Sequence, residues 1–450
     1  MKYSSLFIVA AAFCLALLSG CGGGGGGSST STDQDVFNAG YTSYNAKSYA
    51  KAAATFESLI VTYPNSSLIS SAYYYLGKSL YHLNDFSGAI TKFDVVLGSY
   101  PSSAFADNAL LWKGKSLQQQ ANIQFSAGSF ATASALFVNA RAAYQLVIDS
   151  YPGTTLIPDC RYQIGLTYYD EKGYATAIPL LQAVLSGYPA SGVADGAQYY
   201  LARAYHGLAL TSLDFARART EYVNLITNYP ASVFIDNAQY QIGKTYYDEL
   251  NYINAITEFN KLLTNYAGST SAASAQYYKA RSINELALVA TVPYTLAQAR
   301  TEYLLLISAY PASIWVDNAQ YRIGKSYYDE ANYAGAIVEL NKLLTIYPAS
   351  SYANEAQYYI GRSYHKQSNY VAARATYGLA IAYNPASILA DNASYYSAYT
   401  YHDSTQCTSE LTAMQAFVAA YPSSTFVASA NAHINDLPPG PRVTHATCTL

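Results

Sequence analysis

The sequence predicts an all-α solenoid, a stack of about ten helical hairpins, and three observations predict it. The first is a recurring marker: Tyr63-Pro64, Tyr100-Pro101, Tyr151-Pro152, Tyr188-Pro189, Tyr229-Pro230, Tyr266-Ala267, Tyr310-Pro311, Tyr347-Pro348, Tyr383-Asn384-Pro385 and Tyr421-Pro422. The short intervals are 36 to 38 residues and the long ones 41, 44 and 51. A period in this range belongs to small units that each bury their apolar face only against neighbours. The second is helical periodicity within each interval, and the third is the proline that ends it.

The unit from Asp236 to Ala267 shows how one interval is built. Tyr240, Ile242, Tyr246 and Tyr247 suggest a first helix that Asp236 or Asn237 can cap. Leu250-Asn251-Tyr252 is a short turn. Ala255, Ile256, Phe259, Leu262, Leu263 and Tyr266 then share one face of a second helix. In most units the next residue is proline, which cannot continue a helix and restricts the residue before it. The long intervals keep Ala140, Ala218 and Ala299 in the second helix, with 14, 4 and 7 extra residues expected in or near the turn, at Gln118–Asn139, Gly207–Arg217 and Glu285–Gln298. Long and short units alternate from Pro152 to Pro348, which suggests duplication of a two-hairpin block. A helix near Val427–Leu437 is expected to cap the open end.

These residues resemble the tetratricopeptide repeat. Gly243, Tyr246, Ala255 and Phe259 match its small and aromatic positions. Gly77, Ala89, Phe93 and Pro101 repeat the pattern, as do Gly165, Tyr168, Ala177 and Pro189. So do Gly324, Tyr327, Ala336 and Pro348, and Gly361, Tyr364, Ala373 and Pro385. The resemblance implies a right-handed superhelix of hairpins. The YP-x-S linker and the A-x-Y-x-x-G helix also resemble BamD-like outer-membrane lipoproteins and the periplasmic Tol-Pal coordinator proteins (YbgF/CpoB-like).

The N-terminus fits that company. Lys2 precedes an apolar run of 13 residues, Leu6 to Leu18, too short to span a bilayer and suited to a signal peptide. Leu18-Ser19-Gly20-Cys21 resembles the bacterial lipobox, which implies a signal peptide over 1–20 and lipidation of Cys21. More than one acyl chain is what stable anchoring requires. Gly22 in place of Asp implies the outer membrane, facing the periplasm or the cell surface. Residues 21–32 then form the lipidated start and a Gly/Ser-rich tether of about 18 Å r.m.s.. The repeat array with its capping helix is expected over 33–437, followed by a Pro-rich tail over 438–450. Cys160 reads as a buried small residue, while Cys407 and Cys448 could form a disulfide tying the tail to the last repeat.

The first helix of each hairpin carries four registers on one side, which in resembling proteins lines a concave groove. The first is often Asn: Asn108, Asn237, Asn318 and Asn392. The candidate groove-binding residues come from the other three. Tyr162, Tyr199, Tyr240, Tyr277, Tyr321 and Tyr358 hold the second register; Arg203, Lys244, Arg281, Lys325 and Arg362 the third; Tyr247 and Tyr328 the fourth. Tyrosine offers contact area with a polar tip, and Arg or Lys pairs with carboxylates. Such a ladder suits an extended peptide or the rings of a glycan, or it merely fills and solvates the groove walls. Tyrosine in the register where a carboxylate clamp places a cation argues against such a clamp.

Other chemistries find less support. Charged residues are only 12% of the chain, the net charge is −3, and no basic stripe exists for nucleic acid. The pairs Asp170-Glu171, Asp248-Glu249 and Asp329-Glu330 sit at helix C-termini, against the dipole, so a cation from an adjacent hairpin is expected beside them. His82, His206, His365, His402, His433 and His445 show no metal spacing, and no nucleophile or phosphate-loop motif appears. No catalytic residue, cofactor or metal is expected. The expected function is a non-catalytic protein-binding scaffold of the bacterial envelope, serving outer-membrane protein assembly or envelope maintenance. Its partners would be an extended peptide or an envelope complex, and the membrane through the anchor. The alternative is a glycan-binding lipoprotein supporting polysaccharide export; a third is a purely architectural surface protein.

Overall fold

A computed structural model describes residues 31–209, 211–289, 293–385 and 387–436. The signal peptide, Cys21, most of the tether, Cys448 and the tail lie outside them. The described residues hold 21 helices and no strand. The hairpins are α1 (Asp33–Asn45) with α2 (Tyr49–Thr62), α3 (Ile69–His82) with α4 (Phe86–Ser99), and α5 (Ala106–Ser126) with α6 (Phe130–Ser150). Next come α7 (Ile157–Asp170) with α8 (Tyr174–Gly187), α9 (Ala194–Leu208) with α10 (Ser212–Asn228), and α11 (Ile235–Asp248) with α12 (Tyr252–Asn265). The series continues with α13 (Ala272–Val289) and α14 (Leu296–Ala309), α15 (Val316–Asp329) and α16 (Tyr333–Ile346), and α17 (Ala353–Lys366) and α18 (Tyr370–Tyr383). It ends with α19 (Ile388–Asp403), α20 (Cys407–Ala420) and the closing helix α21 (Val427–Asp436). The chain divides into two compact units, Met1–Gln119 and Gln120–Leu450, with the division inside α5. In the second unit, from α6 onward, each helix packs on the next, and first helices of successive hairpins also touch, as α11 touches α13.

Three local devices make the hairpin. Its compact turns place one residue in the left-handed region: Lys47, Asn84, Gly128, Lys172, Leu250, Ala331, Ser368 and Thr405. The next residue's N–H then donates back to the last turn of the first helix, as Asn251 N does to Tyr246 O at 2.8 Å. In most Tyr-Pro linkers Ser takes two roles in the turn. Ser232 N donates to Tyr229 O at 2.9 Å, and its hydroxyl accepts from Phe234 N at 3.2 Å. The small residue of the first helix lies beneath the large one of the second: a Cβ on Gly243 would stand 2.6 Å from the Phe259 ring, and one on Gly324 2.6 Å from Leu340.

The longest interval differs from expectation. Its 14 extra residues do not form a loop; α5 and α6 are each 21 residues long where the common helix has 14, and residues 127–129 join them. Seven residues are close to two helical turns, so each helix lengthens by about 10 Å without rotating its apolar face away from its partner. Part of the other two insertions also lengthens helices, α10 reaching 17 residues and α13 reaching 18.

Candidate functional site on the first helices

The acid pairs find the cations expected of them. Arg141, Arg219 and Arg300, each on the second helix of the preceding hairpin, bond Glu171, Glu249 and Glu330 at 2.8 Å. Each guanidinium also lies over a ring of the acid-bearing helix: Arg141 on Tyr168 and Arg219 on Tyr246 at 4.1 Å, Arg300 on Tyr327 at 4.0 Å. The glutamates are therefore tied into a seam between hairpins. The aspartates take other polar partners: Asn122 donates to Asp170 at 3.2 Å, Lys325 bonds Asp329, and Lys244 bonds Asp248. His206 also meets Asp248 at 3.0 Å. Burial alone would raise the Asp248 carboxyl, but the hydrogen bonds and charges of His206 and Lys244 outweigh it and hold it below its ordinary value.

The second-register tyrosines are more enclosed than a solvated groove requires. Tyr162, Tyr199, Tyr277, Tyr321 and Tyr358 are buried. For three of them the cause is an aromatic residue two positions after the linker Ser, which folds back onto the ring; Tyr162 and Tyr358 have Val193 and Leu389 at that place, each packed into the same cluster as its tyrosine. Phe234 stacks on Tyr199 at 4.7 Å, Trp315 on Tyr277 at 4.4 Å and Tyr352 on Tyr321 at 5.1 Å. Sequence reading passed over this Ser-x-aromatic signal. Tyr240, whose linker carries Ser271 at that place, stays half-buried. Asn318 is buried and bonds the Tyr352 hydroxyl.

The third and fourth registers do form a ladder, completed by tyrosines not anticipated from sequence. Tyr200, Tyr278 and Tyr359 follow the second-register tyrosine directly. They meet Tyr169, Tyr247 and Tyr328 of the preceding hairpin edge-on at 5.1, 5.0 and 5.1 Å. The cations lie among these rings: Arg203 on Tyr169 at 5.2 Å, Lys244 on Tyr278 at 5.0 Å, Arg281 on Tyr247 at 5.4 Å, Lys325 on Tyr359 at 4.8 Å. Arg362 lies on Tyr396 at 4.0 Å. Burial pushes the Tyr169 phenol up to about 12, with Arg203 opposing, so this ring is a neutral donor near pH 7.

A cleft of about 340 Å³ opens across three successive hairpins, lined by Tyr169, Arg203, His206, Tyr240, Lys244 and Asp248 among others. Two neighbouring clefts of about 550 and 270 Å³ share Arg362, Lys366, Tyr396 and Tyr399. Such clefts offer cations, carboxylates and phenol hydroxyls together, which suits hydrogen bonding to a polar chain more than stacking against a flat ring. Cys160 is buried in α7. Among the described residues no helix is long and apolar enough to cross a membrane.

Tetratricopeptide repeat structures from Thermus thermophilus (TTC0263) and Parabacteroides merdae are similar at 14% and 16% identity and TM-scores of 0.36 and 0.37. The first match covers 48% of this chain and 98% of the other; the second covers 62% and 96%. The repeat domain of P58(IPK) matches at 15% identity over 83% of this chain and 99% of its own, with a TM-score of 0.25. At such scores none of them bears on function. No curated protein sequence matches the chain. The outer membrane lipoprotein family YfiO, however, matches residues 29–161, 206–325 and 315–439. These matches cover well over half of the chain, and with them the protein belongs to the YfiO family of outer membrane lipoproteins.

Proposed function

We propose that the protein is a non-catalytic scaffold that holds an extended polypeptide along the first helices, anchored at the outer membrane through Cys21. Its work would lie in outer-membrane protein assembly or envelope maintenance. The observation that carries the reading is the cleft where Tyr169, Arg203, Tyr240, Lys244 and Asp248 converge from three hairpins. A repeating edge of this kind offers the same contacts to successive segments of one chain, which is how solenoids use their extended surfaces. The glycan alternative needs open ring faces, and five of the six second-register candidates are buried. That observation favours the polypeptide.

Replacing Tyr240, Lys244 and Lys325 together by Ala tests this. Capture of envelope proteins should weaken by more than about 2 kcal/mol, as for a hot-spot cluster, while circular dichroism stays that of wild type. Rising salt should weaken wild-type capture, because the cations lie partly in solvent. Unchanged capture by the folded triple variant would remove the first helices as the binding face.

A further inference from the structure

We propose that His402, Glu410 and His433 form a zinc site that pins the closing helix α21 to the last hairpin. The three residues come from three helices: His402 from the last turn of α19, Glu410 from the first turn of α20, His433 from α21. Glu410 Oε1 lies 3.0 Å from His402 Nδ1 and 2.9 Å from His433 Nδ1. The ligand atoms of all three residues lie within 4.8 Å of one another. A tetrahedral zinc ion with N and O ligands at about 2.0–2.1 Å sets those ligands roughly 3.3 Å apart, so small side-chain adjustments admit the ion.

Burial supplies the independent observation. The Glu410 side chain is 1% exposed, and its second oxygen, Oε2, is buried with no hydrogen-bond partner. An ionised carboxylate at such depth with one oxygen unsatisfied is costly, and a buried charge is ordinarily paired or coordinates a metal. Both imidazoles bond Oε1 alone; a divalent cation would neutralise the whole carboxylate. Tyr399 packs its ring against both imidazoles, at 5.2 Å from His402 and 5.3 Å from His433, which limits their rotation. The His402 side chain is 42% exposed, leaving an entry path and room for a water in the remaining position. Two imidazoles and one carboxylate suit zinc among the abundant divalent ions, whereas calcium and magnesium prefer oxygen alone.

The site also has a structural purpose. A short terminal helix is held here by a small apolar cluster of Tyr395, Ala398, Met414, Phe417 and Ala430. A metal bridging α19, α20 and α21 would close the stack where no further hairpin follows α21 among the described residues.

The test uses the untagged full chain in detergent, stripped with chelator, loaded with zinc and desalted. We expect about one zinc per chain, an X-ray absorption spectrum with two imidazoles in the first shell, and slower amide exchange over residues 427–436 on loading. His433→Asn and Glu410→Gln should each lower zinc affinity by at least about 10- to 100-fold, the range that even outer-shell changes produce. Desalted wild type without zinc, or both variants retaining it as tightly as wild type, would overturn the site. Should a variant fail to fold, the wild-type spectrum decides: a first shell without imidazole nitrogen also overturns it.

Discussion

In α7, α11 and α15 the end of the helix is closed by charge, with Glu171, Glu249 and Glu330 each gripped by an arginine of the preceding hairpin. In α9, α13 and α17 the middle of the helix is closed by rings, with Tyr200, Tyr278 and Tyr359 meeting a tyrosine of the preceding hairpin. The two kinds alternate: the junctions into α7, α11 and α15 are charged and those into α9, α13 and α17 aromatic, so each hairpin from α7/α8 to α15/α16 has charge on one side and rings on the other. Charge fixes direction and register, because an arginine that misses both its glutamate and its tyrosine face loses both contacts. Rings fill volume and tolerate small shifts. α19 shows what happens when the first device is incomplete. Arg374 still lies over Tyr401 at 4.3 Å and bonds the Thr400 hydroxyl, but Ser404 stands where the other helices have glutamate.

The largest effect should come from the layer both kinds share. Phe259 is fully buried against Gly243, and Phe259→Ala should cost about 3–5 kcal/mol at its own hairpin. Hydrogen exchange should accelerate over residues 230–310 and stay unchanged near residue 60. Uniform acceleration would mean one global core and break the picture of locally closed hairpins.

Next in size is the charged seam. Arg219→Met removes an ion pair and a ring contact that are both largely shielded, and should cost about 1–2 kcal/mol by denaturant unfolding. A double-mutant cycle with Glu249→Gln should show coupling between the two. Arg374→Met, without a glutamate partner at the equivalent place, should cost less than about 1 kcal/mol. Equal costs at both positions would show that the ring contact, and not the charge, closes the seam.

A smaller effect of opposite sign is expected at the turn of α11. Leu250 holds φ at 62° and is 69% exposed, so its side chain contributes strain and little burial. Leu250→Gly should stabilise the protein by up to about 1 kcal/mol, seen as a raised melting temperature.

The smallest effect is in acid. The folded-state carboxyl of Asp248 sits below its unfolded value of 3.8, so its contribution is fully present above that pH and lost as pH falls through the folded value. Between about pH 5 and pH 3, wild type should lose more stability than Asp248→Asn. Parallel pH profiles for the two would sever Asp248 from the stability of the junction.

Much of the fold could be read from the sequence, since its determinants are local. Proline follows most second helices, linker serine shapes the next turn, and glycine marks the close approach, all within one interval. The seam was also legible, because three acid pairs at helix ends demand three cations. The burial of Tyr199 was not: its cover, Phe234, lies in the following linker, and no period in the helix itself announces it. Nor was the His402–Glu410–His433 cluster, whose members converge only after α21 folds back. The longest insertion was misplaced because a segment of two helical turns per helix carries no breaker, and so reads as loop only by its length.

The first helices are proposed to hold a polypeptide along their clefted side. Photo-crosslinking in living cells tests it most directly, with a benzophenone amino acid placed either at Gln241, which lines the three-hairpin cleft, or at the exposed Thr257 on α12. Discrete protein adducts are expected from residue 241 and none from residue 257. Adducts of equal yield from both positions, or from residue 257 alone, would contradict the claim.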